Sequence, residues 1–344
     1  MLNNNYIINK NITIKNAMQK LDDCDEKILF ILEDSRLLAS VTDGDIRRFL
    51  ISGGSLEDEI ISAANKNPKT AKNIQEAKQN IKEFLLNAVP IIKDDMFVDI
   101  YFKNKSKKTY NAISNVDVVV NAGGKGTRLD PYTRVFPKPL IPVGDLPILE
   151  IIMQEFNKYS IGEFSVIVNY KKELIKTYFK EIDTNFALNW FDEEVPLGTG
   201  GGLSLLKNKI KNTFIFTNCD TLIRANYDSI IRFHKENHND ITMVCAYKNI
   251  NIPYGIVEIN NDASIKTMKE KPEFSILTNT GFYVVEPSII DDIEPNIPIG
   301  FPDIIKNEKE KGKKIGVYPI SEQEWLDMGQ LPELEKMREK LYGE

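Results

Sequence analysis

The chain has 344 residues, 42% of them hydrophobic and 27% charged, which is enough for two domains with separate cores. Its formal net charge of -6 at pH 7 excludes a chain-wide attraction to nucleic acid or to an acidic membrane surface, so any phosphate chemistry has to be local. Cys24, Cys219 and Cys245 are odd in number and far apart, which fits neither a disulfide framework nor a zinc site and predicts reduced thiols.

The opening MLNNNYIINKNITIK has neither the basic start nor the apolar core of a signal peptide, and no apolar run reaches the roughly 18 residues of a membrane span. The expectation is a cytoplasmic protein with no membrane and no nucleic-acid partner. Up to residue 110 the pattern repeats with a period of about 60 residues: a helical stretch (NAMQKLDD, later NIQEAKQNIKEFL), then paired apolar runs (KILFILE with RLLASVTD, later AVPIIK with MFVDIYF). Residues 103 to 115, KNKSKKTYNAISN, offer little to bury and read as a linker.

Beyond it the pattern becomes β-α-β: VDVVVN, PILEIIMQEFNKY, EFSVIVN, KKELIKTYFKEI, then TFIFTNCD and DSIIRFHKEN. Near-continuous apolar strands alternating with amphipathic helices predict an α/β domain with a mostly parallel sheet covered on both faces. In such sheets ligands sit outside the carboxyl ends of the strands. The stretch GGKGTRL, Gly123 to Leu129, stands at one of these ends. It is neither a P-loop, which needs GxxxxGK followed by Ser or Thr, nor a GxGxxG dinucleotide loop. Glycines there present backbone N–H groups to phosphate oxygens; Arg128 adds a planar fork, and Lys138 is braced between Pro137 and Pro139. His234 and His238, on a helix of polar character, read as surface residues.

GGKGTRLDPYTRVFPKPLIPV, Gly123 to Val143, resembles the signature of the sugar-1-phosphate nucleotidyltransferases, or nucleotide-sugar pyrophosphorylases. VPLGTGGGL, NCD, YGIVEI, EKP, NTGFYV and WLDMG follow in the family's order through about residue 331. The resemblance implies a Rossmann-like, GT-A-like domain over residues 117 to 344. The implied reaction is in-line attack of a sugar 1-phosphate on the α-phosphorus of a nucleoside triphosphate, with pyrophosphate as leaving group. Such catalysis rests on positioning and charge neutralisation, with Mg²⁺ or Mn²⁺ as cofactor.

Carried over residue by residue, the resemblance makes Arg128, Lys138, Asp220 and Asp327 the catalytic set, with Asp220 and Asp327 the metal ligands. Ala122, Gly123, Gly124, Gly126 and Thr127 lie along the nucleotide, with Arg128 near its β and γ phosphates and Lys138 near the α-phosphate; Gly198, Thr199 and Gly201 belong to a second wall around the base. Gly255, Glu258, Lys271 and Asn279 face the sugar phosphate. Asn121, where the family commonly has an apolar residue, is expected to matter little.

SVTDGDIRRFL, Ser40 to Leu50, resembles the strand-to-helix segment of a CBS domain, which makes residues 1 to 110 a tandem CBS pair of α+β type. Thr42 and Asp45 are then candidates for an adenine nucleotide; the second unit has KNKSKK in their place, and a pair used only for dimerisation stays open. A homo-oligomer is expected. A CBS pair before this transferase domain is similar to the architecture of the glucosamine-1-phosphate guanylyltransferases that supply nonulosonic (legionaminic) acid synthesis. GTP is the expected nucleotide because PLGTGG offers backbone donors and acceptors that can pair with guanine's O6 and N2 edges, a form that resembles the guanylyltransferases. An amino-sugar 1-phosphate is the expected acceptor from this architecture and from Glu258, with uridylyl, thymidylyl or adenylyl transfer to another hexose 1-phosphate and a nucleotide-sensing regulator as alternatives.

Overall fold

A computed structural model describes residues 4–24, 26–103, 113, 115–182, 184 and 186–342, so most of the expected linker lies outside the described residues. The chain divides into two compact units, Met1–Thr109 and Tyr110–Glu344.

In the first unit the repetition is structural. Helices Ile14–Asp22 and Ile74–Phe84 begin sixty residues apart, and so do the hairpins Ile28–Glu33/Arg36–Thr42 and Ala88–Lys93/Met96–Phe102. Each helix opens on a polar cap, Thr13 accepting from the Asn16 amide and Asn73 from that of Glu76, which satisfies donors with no partner inside the helix. Ile14, Ala17 and Leu21 of the first helix pack into a core with Leu29, Ile31, Ala39 and Val41 of the first hairpin.

The second unit is built on a seven-stranded sheet in the order Ala187–Asp192, Glu163–Val168, Asp117–Ala122, Phe214–Asn218, Glu273–Val285, Ile241–Asn251, Ile315–Ile320. Only Glu273–Val285 runs against its neighbours, so the sheet is mostly parallel. Its interior strands read as continuous apolar runs because both faces are covered. Val118 and Val120 pack with helix Ile148–Asn157, whereas Val119 joins a second core with Phe216, Tyr283 and Phe301. The chain starts in the middle of the sheet, steps outward through Glu163–Val168 and Ala187–Asp192, then returns to the other side of the first strand. That reversal lies between Asp117–Ala122 and Phe214–Asn218, whose carboxyl ends lead into separate loops, the place where sheets of this kind form a ligand crevice.

One surface expectation is overturned. His234 is 1% exposed, while His238 is exposed as expected. Tyr227, Ile230, Ile231 and His234 form the buried stripe of helix Tyr227–Glu236, so the histidine occupies a core-facing helical position. Its ring is satisfied by Thr242 Oγ1 at 2.8 Å on Nδ1 and by Glu286 Oε1 at 3.0 Å on Nε2. The three cysteines are free and buried. Among the described residues no helix is long and apolar enough to cross a membrane.

Candidate active site

Of the two strands bordering the reversal of strand order, the first ends in the predicted site residue Ala122 and the second is followed, two residues on, by Asp220. Ala122 is the last residue of its strand and is buried; the chain then turns through Gly123 and Gly124 into a short helical turn, Thr127–Leu129. Gly126 adopts φ 66°, and a Cβ there would stand 2.9 Å from Thr133 Cγ2 and 3.1 Å from Lys138 Cβ, so only glycine lets the loop fold back onto the lysine. Leu129 anchors this turn in the core while Thr127 and Arg128 remain exposed at its rim.

Lys138 begins a helical turn between its two prolines and is only 9% exposed. Its ammonium forms an ion pair with Asp220, which is 8% exposed and follows the Phe214–Asn218 strand. Burial is the largest single influence on the Lys138 pKa and lowers it, but the charge of Asp220, the neighbouring Cys219, the hydrogen bond to Asp220 and the charge of Asp327 together outweigh it and hold the ammonium above its ordinary value. Asp327 reaches the same place from the far end of the domain. The strands Thr221–Ile223 and Trp325–Asp327 pair antiparallel, placing Thr221 opposite Asp327, and the Met328 amide donates to Asp220 O at 2.9 Å. Burial, and then the charge of Asp220, push the Asp327 carboxyl up to about 6, against the pull of Lys138 and Arg128. The structure thus gathers Arg128, Lys138, Asp220 and Asp327, residues about two hundred positions apart, around one point. Two carboxylates that repel each other in a mostly buried site are a hard-oxygen donor pair with room in its charge balance for a cation, and phosphate oxygens could complete the shell.

On the other side of the Gly123 loop the VPLGTGGGL segment leans on Ile297–Phe301. Gly200 and Gly201 donate their amides to Ile299 O at 3.0 and 3.2 Å, so neither amide is directed at a ligand, and Thr199 Oγ1 accepts from the Phe301 amide. Gly198 and Thr199 are exposed. Asn121, given no weight in the sequence, donates to Thr199 O at 3.4 Å and accepts from the Cys219 amide at 3.1 Å, tying three loops together.

Sequence reasoning also missed Glu193. It directly follows strand Ala187–Asp192 and is 3% exposed. A Cβ on Gly123 would stand 2.7 Å from its Oε2 and one on Gly202 2.6 Å from its Oε1, so the carboxyl is wedged between the two glycine-rich loops. It accepts from the Leu197 amide, yet Oε1 has no hydrogen-bond partner among the described residues, and burial pushes the group up to about 7. The signal available in the sequence was an acidic pair, Glu193 and Glu194, just before VPLGTGGGL.

Of the four sugar-side residues, Gly255, Glu258 and Lys271 lie on an exposed arm, and Asn279 lies in the sheet strand Glu273–Val285 opposite Cys245. Gly255 and Glu258 belong to the hairpin Ile256–Ile259/Ile265–Lys269 and its approach, with Glu258 paired to Lys266 at 3.3 Å. Lys271 has φ 43° before Pro272, and Asn279 donates to Tyr283 Oη at 2.7 Å and accepts from the Gly281 amide. In the first unit Thr42 and Asp45 form a capping box on helix Asp43–Ile51: Thr42 Oγ1 donates to Asp45 at 2.6 Å and accepts from its amide, and Arg48 pairs with Asp45.

Comparison with known proteins gives the family of the second unit. The family model described as nucleotidyl transferase matches residues 117–343. The chain belongs to the nucleotidyl transferase family. It is 33% identical over 211 residues to the bifunctional protein GlmU of Methanococcus maripaludis, covering 59% of this chain and 49% of that protein. It is 32% identical over 186 residues to the mannose-1-phosphate guanylyltransferase of Mycobacterium tuberculosis, 53% of this chain and 52% of the relative. With the D-glycero-alpha-D-manno-heptose 1-phosphate guanylyltransferase of Campylobacter jejuni it shares 29% over 199 residues, 58% of this chain and 88% of the relative. The chain spans about half the length of the first two of these. Among solved structures, HddC from Yersinia pseudotuberculosis superimposes with a TM-score of 0.52 at 24% identity, over 65% of this chain and 99% of that one, which shows a shared fold.

Proposed function

We propose that the protein is a sugar-1-phosphate nucleotidyltransferase that transfers GMP from GTP to an amino-sugar 1-phosphate, glucosamine 1-phosphate or an N-acyl relative, releasing pyrophosphate. The observation that carries the reaction class is the buried cluster of Lys138, Asp220 and Asp327, with Arg128 at its rim, in the crevice where the strand order reverses. An ionised sugar phosphate needs no protein nucleophile, so what the site has to supply is alignment and positive charge. Lys138 is fixed by its prolines and by Asp220, and binding of a triphosphate would offer its ammonium the α-phosphate oxygens, where charge develops. Arg128 suits the β and γ phosphates that leave. Asp220 and Asp327 would hold Mg²⁺ or Mn²⁺, which would neutralise phosphate charge.

What supports guanine is Glu193. An unpartnered carboxyl oxygen between the two nucleotide loops calls for donors, and guanine offers two side by side, N1–H and N2–H. Uracil and thymine offer one N–H flanked by carbonyls that would repel it. The amino-sugar assignment draws on Glu258, which could form a charge-assisted hydrogen bond to a sugar ammonium. For the first unit we propose a regulatory or dimerising CBS pair, with Thr42 and Asp45 as its nucleotide contacts. Supply of a precursor for nonulosonic (legionaminic) acid is the pathway role that goes with this reading.

The test is a pyrophosphate-release screen crossing GTP, UTP, dTTP and ATP with glucosamine, N-acetylglucosamine, glucose and mannose 1-phosphates. The highest kcat/KM is expected for GTP with an amino sugar. Faster turnover with another triphosphate would reject guanine, and equal rates across the sugars would reject the amine preference.

A further inference from the structure

We propose that Lys171 is a positioning residue: its ammonium clasps the carbonyl end of the short helix Tyr132–Val135 and holds the segment between Gly126 and Lys138 in the shape that receives a triphosphate. The ammonium donates to Arg134 O at 2.5 Å, Val135 O at 3.0 Å and Thr133 O at 3.4 Å. These carbonyls lie at the end of a helix, where backbone acceptors lack partners and the dipole is negative, so a cation is well matched to them. An ammonium has three N–H donors, and all three are used on the segment, which sets this lysine apart from one free to bind phosphate itself.

The backbone is bent to make the reach. Lys171 sits at φ 50°, a left-handed conformation uncommon for a residue with a side chain, at the turn between strand Glu163–Val168 and helix Lys172–Glu181. Tyr170 reinforces the link: its amide donates to Gly123 O at 3.4 Å and its hydroxyl to Thr133 O at 3.3 Å. Between Leu129, which is anchored in the core, and Pro137 the segment needs such support because apolar burial gives it little. Tyr132, Val135 and Phe136 are exposed, and Asp130 and Arg134 pair with each other inside it. Thr133, the buried exception, is the residue that packs on Gly126, and Lys138 lies three positions after Val135. Holding the carbonyls of 133–135 therefore fixes both ends of the phosphate-facing loop at once.

The inference rests on nucleotidyl transfer as proposed above and is independent of the base. In the full chain, K171M and K171R are compared with wild type for kcat, for KM of GTP, UTP and the sugar phosphate, for the Kd of each triphosphate by calorimetry without sugar phosphate, and for Tm. A loop that must be ordered by its ligand binds more weakly, so K171M should raise KM and Kd for the triphosphate that the enzyme uses by about tenfold. Its kcat should fall less than about threefold, because a bound triphosphate orders the loop through its own contacts. KM for the sugar phosphate should stay unchanged, and K171R, which keeps a multivalent cationic donor, should recover most of the loss. If UTP replaces GTP as substrate with the K171M effect intact, only the guanine assignment fails. An unchanged triphosphate Kd in K171M would overturn the clasp, as would a fall in kcat and Tm with KM unmoved. Should K171M prove insoluble, K171Q gives the same comparison.

Discussion

Glu193→Gln removes the ionisable group of an acid that the fold buries with one carboxyl oxygen unpartnered among the described residues. The carboxyl titrates near 7 in the folded chain against an ordinary 4.5, because burial disfavours its ionised form. At about 1.4 kcal/mol per pH unit that separation amounts to about 3 kcal/mol. The sign follows from proton counting: between 4.5 and 7 the folded state holds the proton more tightly than the unfolded chain. Stability from this group is therefore complete below about pH 4.5 and is lost as pH rises through 7. Glutamine keeps the volume and one oxygen for the Leu197 amide and cannot ionise. The difference in unfolding free energy between Glu193→Gln and wild type should grow in favour of the variant by about 2–3 kcal/mol from pH 5 to pH 8.5. Urea unfolding followed by tryptophan fluorescence measures it, since Trp190 and Trp325 both lie in the second unit and report on that unit alone. Saturating GTP should shrink the difference at high pH, because guanine donors favour the carboxylate. Parallel curves for the two proteins across this pH range would refute the assignment of Glu193 as a buried, ionisation-opposing acid.

Arg128→Ala should lower turnover by an order of magnitude or more with Tm little changed, since the side chain is exposed and its proposed role is to meet leaving-group charge; wild-type kcat/KM would remove it from the site. Lys138→Ala should lower turnover at least as much and also cost stability, because Asp220 is left buried without its partner; thermal melting alongside kinetics separates the two effects. Asp220→Asn and Asp327→Asn should each weaken the apparent affinity for Mg²⁺ in activity titrations, and unchanged titrations in both would reject the metal role. Calorimetry of the full chain with AMP and ATP should give heat that Asp45→Ala removes; no binding would leave the first unit a dimerising module.

The amino-acid order by itself carried the division near residue 110, the sixty-residue repetition and the α/β pattern, because apolar periodicity is a local property of the chain. It also carried the candidate phosphate loop, since three glycines, an arginine and a proline-braced lysine within sixteen residues are a local signal. Only the tertiary structure decided what meets what. Asp327 joins Asp220 through the pairing of two three-residue strands that no periodicity marks, and His234 is buried because one polar residue fell on the core-facing stripe of an otherwise polar helix. Glu193 is recognisable as a site residue only when Gly123 and Gly202 close on it, and Lys171 only when a left-handed turn carries its ammonium to a helix more than thirty residues away in sequence. Such contacts depend on where strands end in space, and a sheet in which Phe214–Asn218 lies beside Asp117–Ala122, after the chain has run out to the opposite edge and back, brings residues that are distant in sequence together at one place.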